Sequence, residues 1–261
     1  MTLTGRIVGV SVWGPGLEGW AAAQPVLAGE TPYAVTAATP PPPQLLAATE
    51  RRRTGPVVRL ALAAAHEAAL ASGLDPASLR AVFGSSNGDG PVVGNILDAL
   101  ATAAPAERVV SPTQFHNSVH NAPAGYWSIA TGSHRPATCI GCNDDTFAAS
   151  LLTALADLHD AQGAVLVCCY DYPLPAPLHA VRDTGPLFAA ALVLAQAGPG
   201  PRLTVTLQPG PAAPTLDPAL HALAPNPAAR ALPLLAAIAR NLPARLGLPY
   251  LENHLRLDLE P

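Results

Sequence analysis

Lysine is missing from this sequence, in which all fourteen basic residues of 261 are arginine. The chain therefore has no amine for Schiff-base catalysis and no phosphate-binding lysine of the P-loop kind. Charged residues make up only 12% of the chain and the net charge is −4, so nothing indicates a nucleic-acid partner. Hydrophobic residues reach 49%, which excludes global disorder and favours a sizeable core.

Cysteines and long apolar runs are also scarce. The four cysteines are too few for a disulfide scaffold. An uninterrupted apolar run of about 18 residues, as a membrane span needs, is absent, because even Val57–Ala71 contains charged side chains. The first residues, Met1–Gly16, lack the apolar centre and cleavage site of a signal peptide. We therefore expect a soluble, cytoplasmic protein.

Apolar segments of two kinds alternate along the chain. Short runs of apolar residues, typical of buried strands, predict strands at Arg6–Trp13, Leu79–Gly84, Ala137–Gly141, Ala164–Tyr170, Leu187–Gln196, Leu203–Leu207 and Tyr250–Leu257. Longer runs predict helices at Pro56–Ser72, Val92–Thr102, Val119–Thr131, Thr146–Leu158 and Leu232–Leu242. Strands that alternate with helices indicate an α/β fold with a layered, largely buried sheet.

Two stretches depart from this alternation. Residues 21–50 are rich in alanine and proline, including Pro40–Pro43, and predict an irregular surface segment. From Pro209 onward the chain again becomes proline-rich. We therefore expect a main domain over residues 1–208 and a C-terminal extension, 209–261, that packs on the same domain.

The loop Gly84–Gly88 matches G-x-S-x-G and lies between a predicted strand and a predicted helix. This is the context of a nucleophile elbow, with Ser86 as the nucleophile. Asp171 or Asp183, together with His221 or His254, follow in the order that a hydrolase would require. The glycines are equally explained by a turn that needs positive φ.

Cys139 and Cys142 form a C-x-x-C pair, which in a redox protein lies at a helix start. Here Cys139 is predicted inside a strand, and a second pair that would complete a zinc site is absent. Asp144 and Asp145 follow and are well placed to interact favourably with a helix N-terminus. No metal site is expected.

The polar segment Ser111–Gly125 contains His116 and His120, four residues apart. A third metal ligand is missing from the local sequence, so both histidines are interpreted as structural. The longer string QFHNSVHNAPAGYWSIATG is followed by PATCIG and by the turn CNDDTFAAS.

Over residues 4–208 this order resembles the N-terminal half of a β-ketoacyl synthase. It is more narrowly similar to the short chain length factors of aryl polyene biosynthesis. In that family an S-N-x-A-A-G segment precedes a strand and then a T-A-C nucleophile turn at a helix start. The resemblance implies a thiolase-like layered fold, with a mixed sheet and helices on both faces.

The nucleophile turn departs from the family pattern. The nucleophile position falls near Asp144 when the chain is aligned on Pro136 and on Asn143 when it is aligned on Phe147, so Cys142 is one residue off unless a gap moves it. A decarboxylating histidine motif is not found. The resemblance therefore implies a non-catalytic chain length factor that pairs with a ketosynthase and shapes its acyl tunnel. It would need no cofactor, because the substrate arrives on the phosphopantetheine of an acyl carrier protein.

By the same resemblance, two sets of residues are assigned roles. The strand that pairs across the dimer comprises Ala137, Thr138, Cys139, Ile140 and Gly141. The tunnel is lined by Val93, Ile96, Leu97, Phe115 and His116. Two enzyme alternatives stay open at this point: an acyltransferase or ketosynthase that uses Cys142, and a hydrolase that uses Ser86. Neither a nucleic acid nor an integral membrane segment is expected.

Overall fold

The computed structural model describes residues 2–101, 104–160, 163–212 and 216–261. Its strands, numbered in chain order, are β1 Thr2–Gly14, β2 Leu17–Glu18, β3 Arg80–Gly84, β4 Ala137–Ile140, β5 Ala164–Asp171, β6 Phe188–Ala195, β7 Arg202–Gln208, β8 Ala244–Tyr250 and β9 Asn253–Glu260. Its helices are α1 Trp20–Ala28, α2 Ala48–Arg53, α3 Pro56–Ala71, α4 Gly90–Ala101, α5 Pro112–Asn117, α6 Ala122–Thr131, α7 Thr146–Asp160 and α8 Leu232–Arg240. Across these ranges, no helix is both long and apolar enough to cross a membrane.

The strands form one mixed sheet in the order β4-β3-β5-β6-β1-β7-β9-β8, with β2 paired to β1. Strand β3 runs parallel to its neighbours β4 and β5, and the remaining pairs are antiparallel. The two edges of the sheet are therefore β4 and β8.

The centre of the sheet is buried on both faces. Every residue of β5 and β6 is buried, which explains why these strands are continuous apolar runs without alternation. Helices α1, α7 and α8 pack on one face, and α3 and α6 pack on the other. Helix α7 lies so close to the end of β3 that a Cβ atom at Gly84 would overlap the Ser150 side chain.

The prediction of an irregular segment over residues 21–50 is wrong in part, because α1 and α2 lie within or across it. Helix α1 is stabilised by contacts distant in sequence. It buries Ala23 and Leu27, and the backbone N–H of Trp20 donates to Glu67 Oε1 at 2.7 Å. Tertiary packing of this kind outweighs a weak local helix signal and the proline within the helix, Pro25.

Two other element boundaries also differ from the prediction. The helix predicted over Val119–Thr131 begins three residues later, as α6 at Ala122, and a separate short helix, α5, precedes it. The strand predicted over Tyr250–Leu257 contains a turn, because β8 and β9 form a hairpin joined at Leu251 and Glu252. Strand β9 extends the sheet by pairing with β7, and α8 packs against α1.

Candidate functional site

The turn between β4 and α7 lies beside the ends of the parallel strands β3 and β5. In open α/β sheets, the carboxyl ends of parallel strands are where ligands usually bind. Asn143 in this turn has a left-handed backbone with φ of 49°. A sharp turn from strand to helix with such a residue is the geometry of a nucleophile elbow. The structure places Asn143, and not Cys142, at the left-handed position of the turn.

Cys142 precedes this position and is partly buried. Burial, and then the negative charge of Asp145, raise the pKa of its thiol. Its backbone N–H donates to Thr146 Oγ1 at 3.0 Å, and the Thr146 hydroxyl donates to the Asn143 carbonyl at 2.6 Å. A nucleophilic cysteine needs the opposite shift, because the thiolate is the reactive form.

Asp144 and Asp145 directly precede the first residue of α7, as predicted, and both also interact with arginines. Arg182 Nη2 donates to Asp144 Oδ1 at 2.7 Å. Arg230 pairs with Asp145 and lies 3.9 Å from Asp144. The Leu251 backbone N–H donates to Asp145 Oδ2 at 2.8 Å, so the tip of the β8–β9 hairpin is tied to the same turn.

The loop after β3 is held by one buried carboxylate. Asp171 Oδ1 accepts hydrogen bonds from Ser85 Oγ at 2.9 Å and from the backbone N–H groups of Ser86 and Asn87. Burial raises the pKa of Asp171 to about 7, against the opposing effect of these bonds and of the Arg182 charge.

Arg182 connects this loop to the β4–α7 turn. Its Nη2 donates to Ser86 Oγ at 2.6 Å, and its Nε donates to Asn87 Oδ1 at 3.0 Å. The Ser86 hydroxyl therefore accepts a hydrogen bond from a guanidinium, which has only donors and is not a general base. This arrangement differs from a Ser-His-Asp triad, in which a histidine must contact the serine.

The histidines lie in separate places. His120 Nε2 is 2.9 Å from the Ser85 carbonyl oxygen, and His116 stands edge-on to the Tyr126 ring. His254 Nδ1 is 2.8 Å from the Gly210 carbonyl oxygen, while His221 is exposed. Within the part of the chain that the structure describes, no group of three His, Cys, Asp or Glu side chains could hold a metal.

Helix α4 has one face against the protein and one face open. A Cβ atom at Gly94 would come within 2.6 Å of Pro175 Cγ, so this side packs tightly. Next to the glycines on the helix surface, Val93 and Ile96 are half-buried and the Leu97 side chain is 48% exposed. This face is therefore not plain core in the single chain.

The remaining predicted site residues lie at the surface near α4. Phe115 in α5 is 68% exposed, and His116 beside it is exposed as well. Ala137 and Gly141 are exposed, and the strand residues between them, Thr138, Cys139 and Ile140, are half-buried. Strand β4 pairs with β3 on one side only, so it is a free edge of the sheet.

Two residues of the site, Arg182 and Arg230, were not identified from the sequence. Each is an isolated arginine in an irregular or 3-10 segment, where a side chain is most often solvated. Their partners Asp144 and Asp145 lie 38 and 85 positions away. The only feature of the sequence that could have indicated these ion pairs was the pair of adjacent aspartates, Asp144 and Asp145, which have no basic residue next to them.

Comparison with known proteins identifies the sequence family. The sequence profile of the β-ketoacyl synthase N-terminal domain matches residues 24–245. No curated protein matches the chain.

Three solved structures are similar in fold over nearly their whole length. A ketosynthase (ApeO) in complex with its chain length factor (ApeC) from Xenorhabdus doucetiae matches with a TM-score of 0.74 and 22% identity, over 99% of this chain and 100% of that chain. The ishigamide ketosynthase/chain length factor matches with a TM-score of 0.69 and 15% identity, over 98% of both chains.

The third is AntDE:AntF, a type II PKS acyl-carrier protein in complex with its ketosynthase bound to the hexaketide. It matches with a TM-score of 0.71 and 12% identity, over 100% of this chain and 99% of that chain. These likenesses confirm the predicted fold class, a thiolase-like layered fold with a mixed sheet and helices on both faces.

Proposed function

This chain belongs to the family of the β-ketoacyl synthase N-terminal domain, and from that premise we propose that it is the non-catalytic subunit of a ketosynthase heterodimer, in which it limits the length of the growing acyl chain. The proposal corresponds to a chain length factor of the aryl polyene or a related polyketide type. The acyl chain arrives on the phosphopantetheine of an acyl carrier protein, and the subunit itself uses no cofactor.

One observation carries the non-catalytic assignment: the left-handed position of the β4–α7 turn holds Asn143. Covalent catalysis at such a turn needs a hydroxyl or thiol nucleophile, and a carboxamide is neither. Cys142 is a poor substitute, since burial and Asp145 raise its thiol pKa. No hydrogen bond between a histidine and Cys142 is found in the parts of the chain that are described, and His120, which lies beside Gly141, faces the Ser85 carbonyl oxygen instead. This disfavours the acyltransferase alternative.

A second group of observations supports assembly with another subunit. Large apolar side chains are exposed on α4, α5 and the segments beside them: Leu97 48%, Leu100 49%, Val109 72%, Phe115 68% and Val119 47%. A cluster of this size on a soluble protein is typical of an interaction surface. The free edge of β4 offers unpaired backbone groups to a strand of the partner.

The same surface supports a role in shaping a tunnel. Val93, Ile96 and Leu97 lie on the open face of α4, and Phe115 and His116 are exposed on α5. A partner that covers this face would enclose an apolar space between the two proteins. The side chains of α4 would then form a wall of that space, and their volume would limit the length of an acyl chain within it.

We also propose that residues 209–261 extend the same domain and do not form a second one. The described part of this region contributes β8 and β9 to the common sheet, and α8 packs on α1. Leu232, Leu235 and Leu255 belong to the same hydrophobic cluster as Leu151 of α7.

The test is condensation of acyl and malonyl thioesters on an acyl carrier protein. We expect no condensation by the chain alone. Together with a partner ketosynthase, we expect chain elongation that is unchanged by Cys142→Ala. Alkylation of Cys142 with iodoacetamide should be slow, because burial and Asp145 raise the pKa of its thiol and leave little thiolate to react. Condensation by the isolated chain that Cys142→Ala abolishes would refute the proposal and favour the acyltransferase.

A further inference from the structure

A cavity of about 480 Å³ lies between the β8–β9 hairpin and the segment formed by residues 216–234. Its floor includes Leu246 and Leu248 of β8 and Leu257 of β9, and Leu234 of α8 forms part of the wall. The full lining is Leu216, His221, Ala224, Pro225, Ala229, Arg230, Pro233, Leu234, Leu246, Gly247, Leu248, Pro249 and Leu257. None of these residues belongs to the α4–α5 surface.

The cavity is held open by buried structure. Ala229, Leu234, Leu248 and Leu257 are all buried, so their positions are fixed by the core behind them. Its volume is within the range of about 300–1,000 Å³ that is typical of small-molecule sites, which are mostly apolar and largely formed before binding.

The residues that line the larger cavity determine what kind of molecule the cavity can hold. Apart from His221 and Arg230, every lining side chain is apolar or absent. Arg230 is already engaged by Asp145. A peptide placed here would bury amide groups with few side-chain partners, at a large desolvation cost, whereas a hydrocarbon chain has no polar groups to satisfy.

A second cavity, of about 370 Å³, shares Leu216, Pro233 and Leu246 with the first. It is more polar and is lined in addition by Asp217, Arg240 and Arg245. Arg245 is paired with Asp258, while Arg240 is exposed at the end of α8. The two cavities are therefore neighbours, of which the larger is apolar and the smaller is lined by Arg240 and by Asp217, whose Oδ1 already accepts the Ala219 N–H.

We propose that these neighbouring cavities together bind a linear amphipathic ligand of the fatty-acid class, which passes beside the shared residues Leu216, Pro233 and Leu246. The alkyl chain lies in the larger cavity, and the carboxylate lies in the smaller one toward Arg240. This inference does not depend on the proposed function, because it concerns residues that take no part in the α4–α5 surface or the β4 edge.

The experiment is calorimetric titration of the full-length protein with saturated fatty acids of six to fourteen carbons below their micelle concentrations. Each methylene that enters the apolar cavity should tighten Kd about fourfold, the equivalent of about 0.8 kcal/mol, until the cavity is full. The alcohol of the best length should bind more weakly than the acid.

Two variants and a matched control locate the binding. Ala224→Trp places a large ring in the exposed lining and should weaken binding at least tenfold, whereas Ala222→Trp, exposed in the same segment but outside the lining, should leave it unchanged. Arg240→Ala should weaken binding of the acid and leave the alcohol unaffected.

Three results would each overturn the proposal. They are binding without dependence on chain length, equal Kd values for Ala224→Trp and Ala222→Trp, and tighter binding of a capped apolar tetrapeptide than of any acid in the series.

Discussion

At the scale of single residues, Asp171 is the group with the strongest expected pH response. It is buried at the end of β5, and one of its oxygens accepts hydrogen bonds from Ser85, Ser86 and Asn87. Its other oxygen, Oδ2, has no hydrogen-bond partner among the described residues. A buried carboxylate that is satisfied on one side only is stabilised by protonation.

We expect Asp171 to make the protein less stable as pH rises from about 4 to about 7. Its native pKa of about 7 exceeds the ordinary value of 3.8, so the native state holds the proton more tightly than the unfolded chain. This contribution is complete below pH 4 and is lost through pH 7, with an upper bound of roughly 4 kcal/mol. Urea unfolding of the wild type and of Asp171→Asn at several pH values measures it.

The Asp171→Asn variant should show a flatter dependence of unfolding free energy on pH over this window. Asp183→Asn is the matched control, because Asp183 is exposed and its acceptor oxygen for the Gly185 N–H remains in the amide. If the wild type, Asp171→Asn and Asp183→Asn give parallel curves, burial of Asp171 does not shift its titration in the native protein.

At the scale of secondary structure, α4 is the element whose two faces have different surroundings. Gly90 and Gly94 allow Leu174 and Pro175 to approach one side closely. Val93, Ile96, Leu97 and Leu100 form an apolar stripe at helical spacing that adjoins the glycine side. The close packing at Gly90 and Gly94 therefore fixes the helix, and the partly exposed side chains of the apolar stripe can change volume without disturbing the sheet.

We expect Val93→Phe to shorten the polyene made by the reconstituted heterodimer, and Ile96→Ala to lengthen it. An added ring in a packed wall costs roughly 1–3 kcal/mol, so late elongation steps should slow roughly ten- to a hundredfold. Mass spectrometry of carrier-bound products measures the length distribution.

Asn95→Phe is the control for this prediction, since Asn95 is exposed on α4 away from the apolar face. It should leave product length unchanged. An unaltered distribution for Val93→Phe and Ile96→Ala, in a complex that remains intact, would place the limit on length elsewhere.

At the scale of the whole molecule, the exposed apolar face of α4 and α5 and the β4 edge are the two surfaces that the proposed partner would cover. The N–H of Ala81 bonds to the Pro136 carbonyl, and the N–H of Ser85 bonds to the Ile140 carbonyl. In a parallel ladder with this register, the backbone groups of Ala137 and Cys139 point away from β3. They are available to a strand of another subunit.

We expect Leu100→Asp to weaken assembly with the ketosynthase at least a hundredfold, because an unpaired carboxylate would be buried in the interface. Asn95→Asp, on the same helix but away from the apolar face, should have little effect. Ala137→Pro removes one outward N–H and should weaken assembly about tenfold, the equivalent of roughly one hydrogen bond.

Size-exclusion chromatography of the co-expressed pair, with titration of the purified subunits, measures assembly. Full binding by both Leu100→Asp and Ala137→Pro would exclude this surface as the interface. A stable monomer that does not bind the ketosynthase at all would contradict the proposed function itself.

The sequence alone was sufficient to predict the fold class and most of the helices and strands. Apolar runs such as Ala164–Tyr170 are buried on both faces and must be central strands, so local composition specifies them. The position of the degenerate turn also follows from the sequence, because a strand, a short polar segment and an apolar helix succeed one another at Ala137–Leu158.

Only the tertiary structure decided which groups meet in that turn. The contacts of Asp144 with Arg182 and of Asp145 with Arg230 join residues far apart in sequence, and no local pattern specifies such pairs. The same holds for α1, whose first N–H is bonded to Glu67, and for β8, an edge strand that tolerates Pro249. Local sequence sets propensity, but hydrogen bonds and burial between distant segments outweigh weak propensities, and they exist only once the chain has folded.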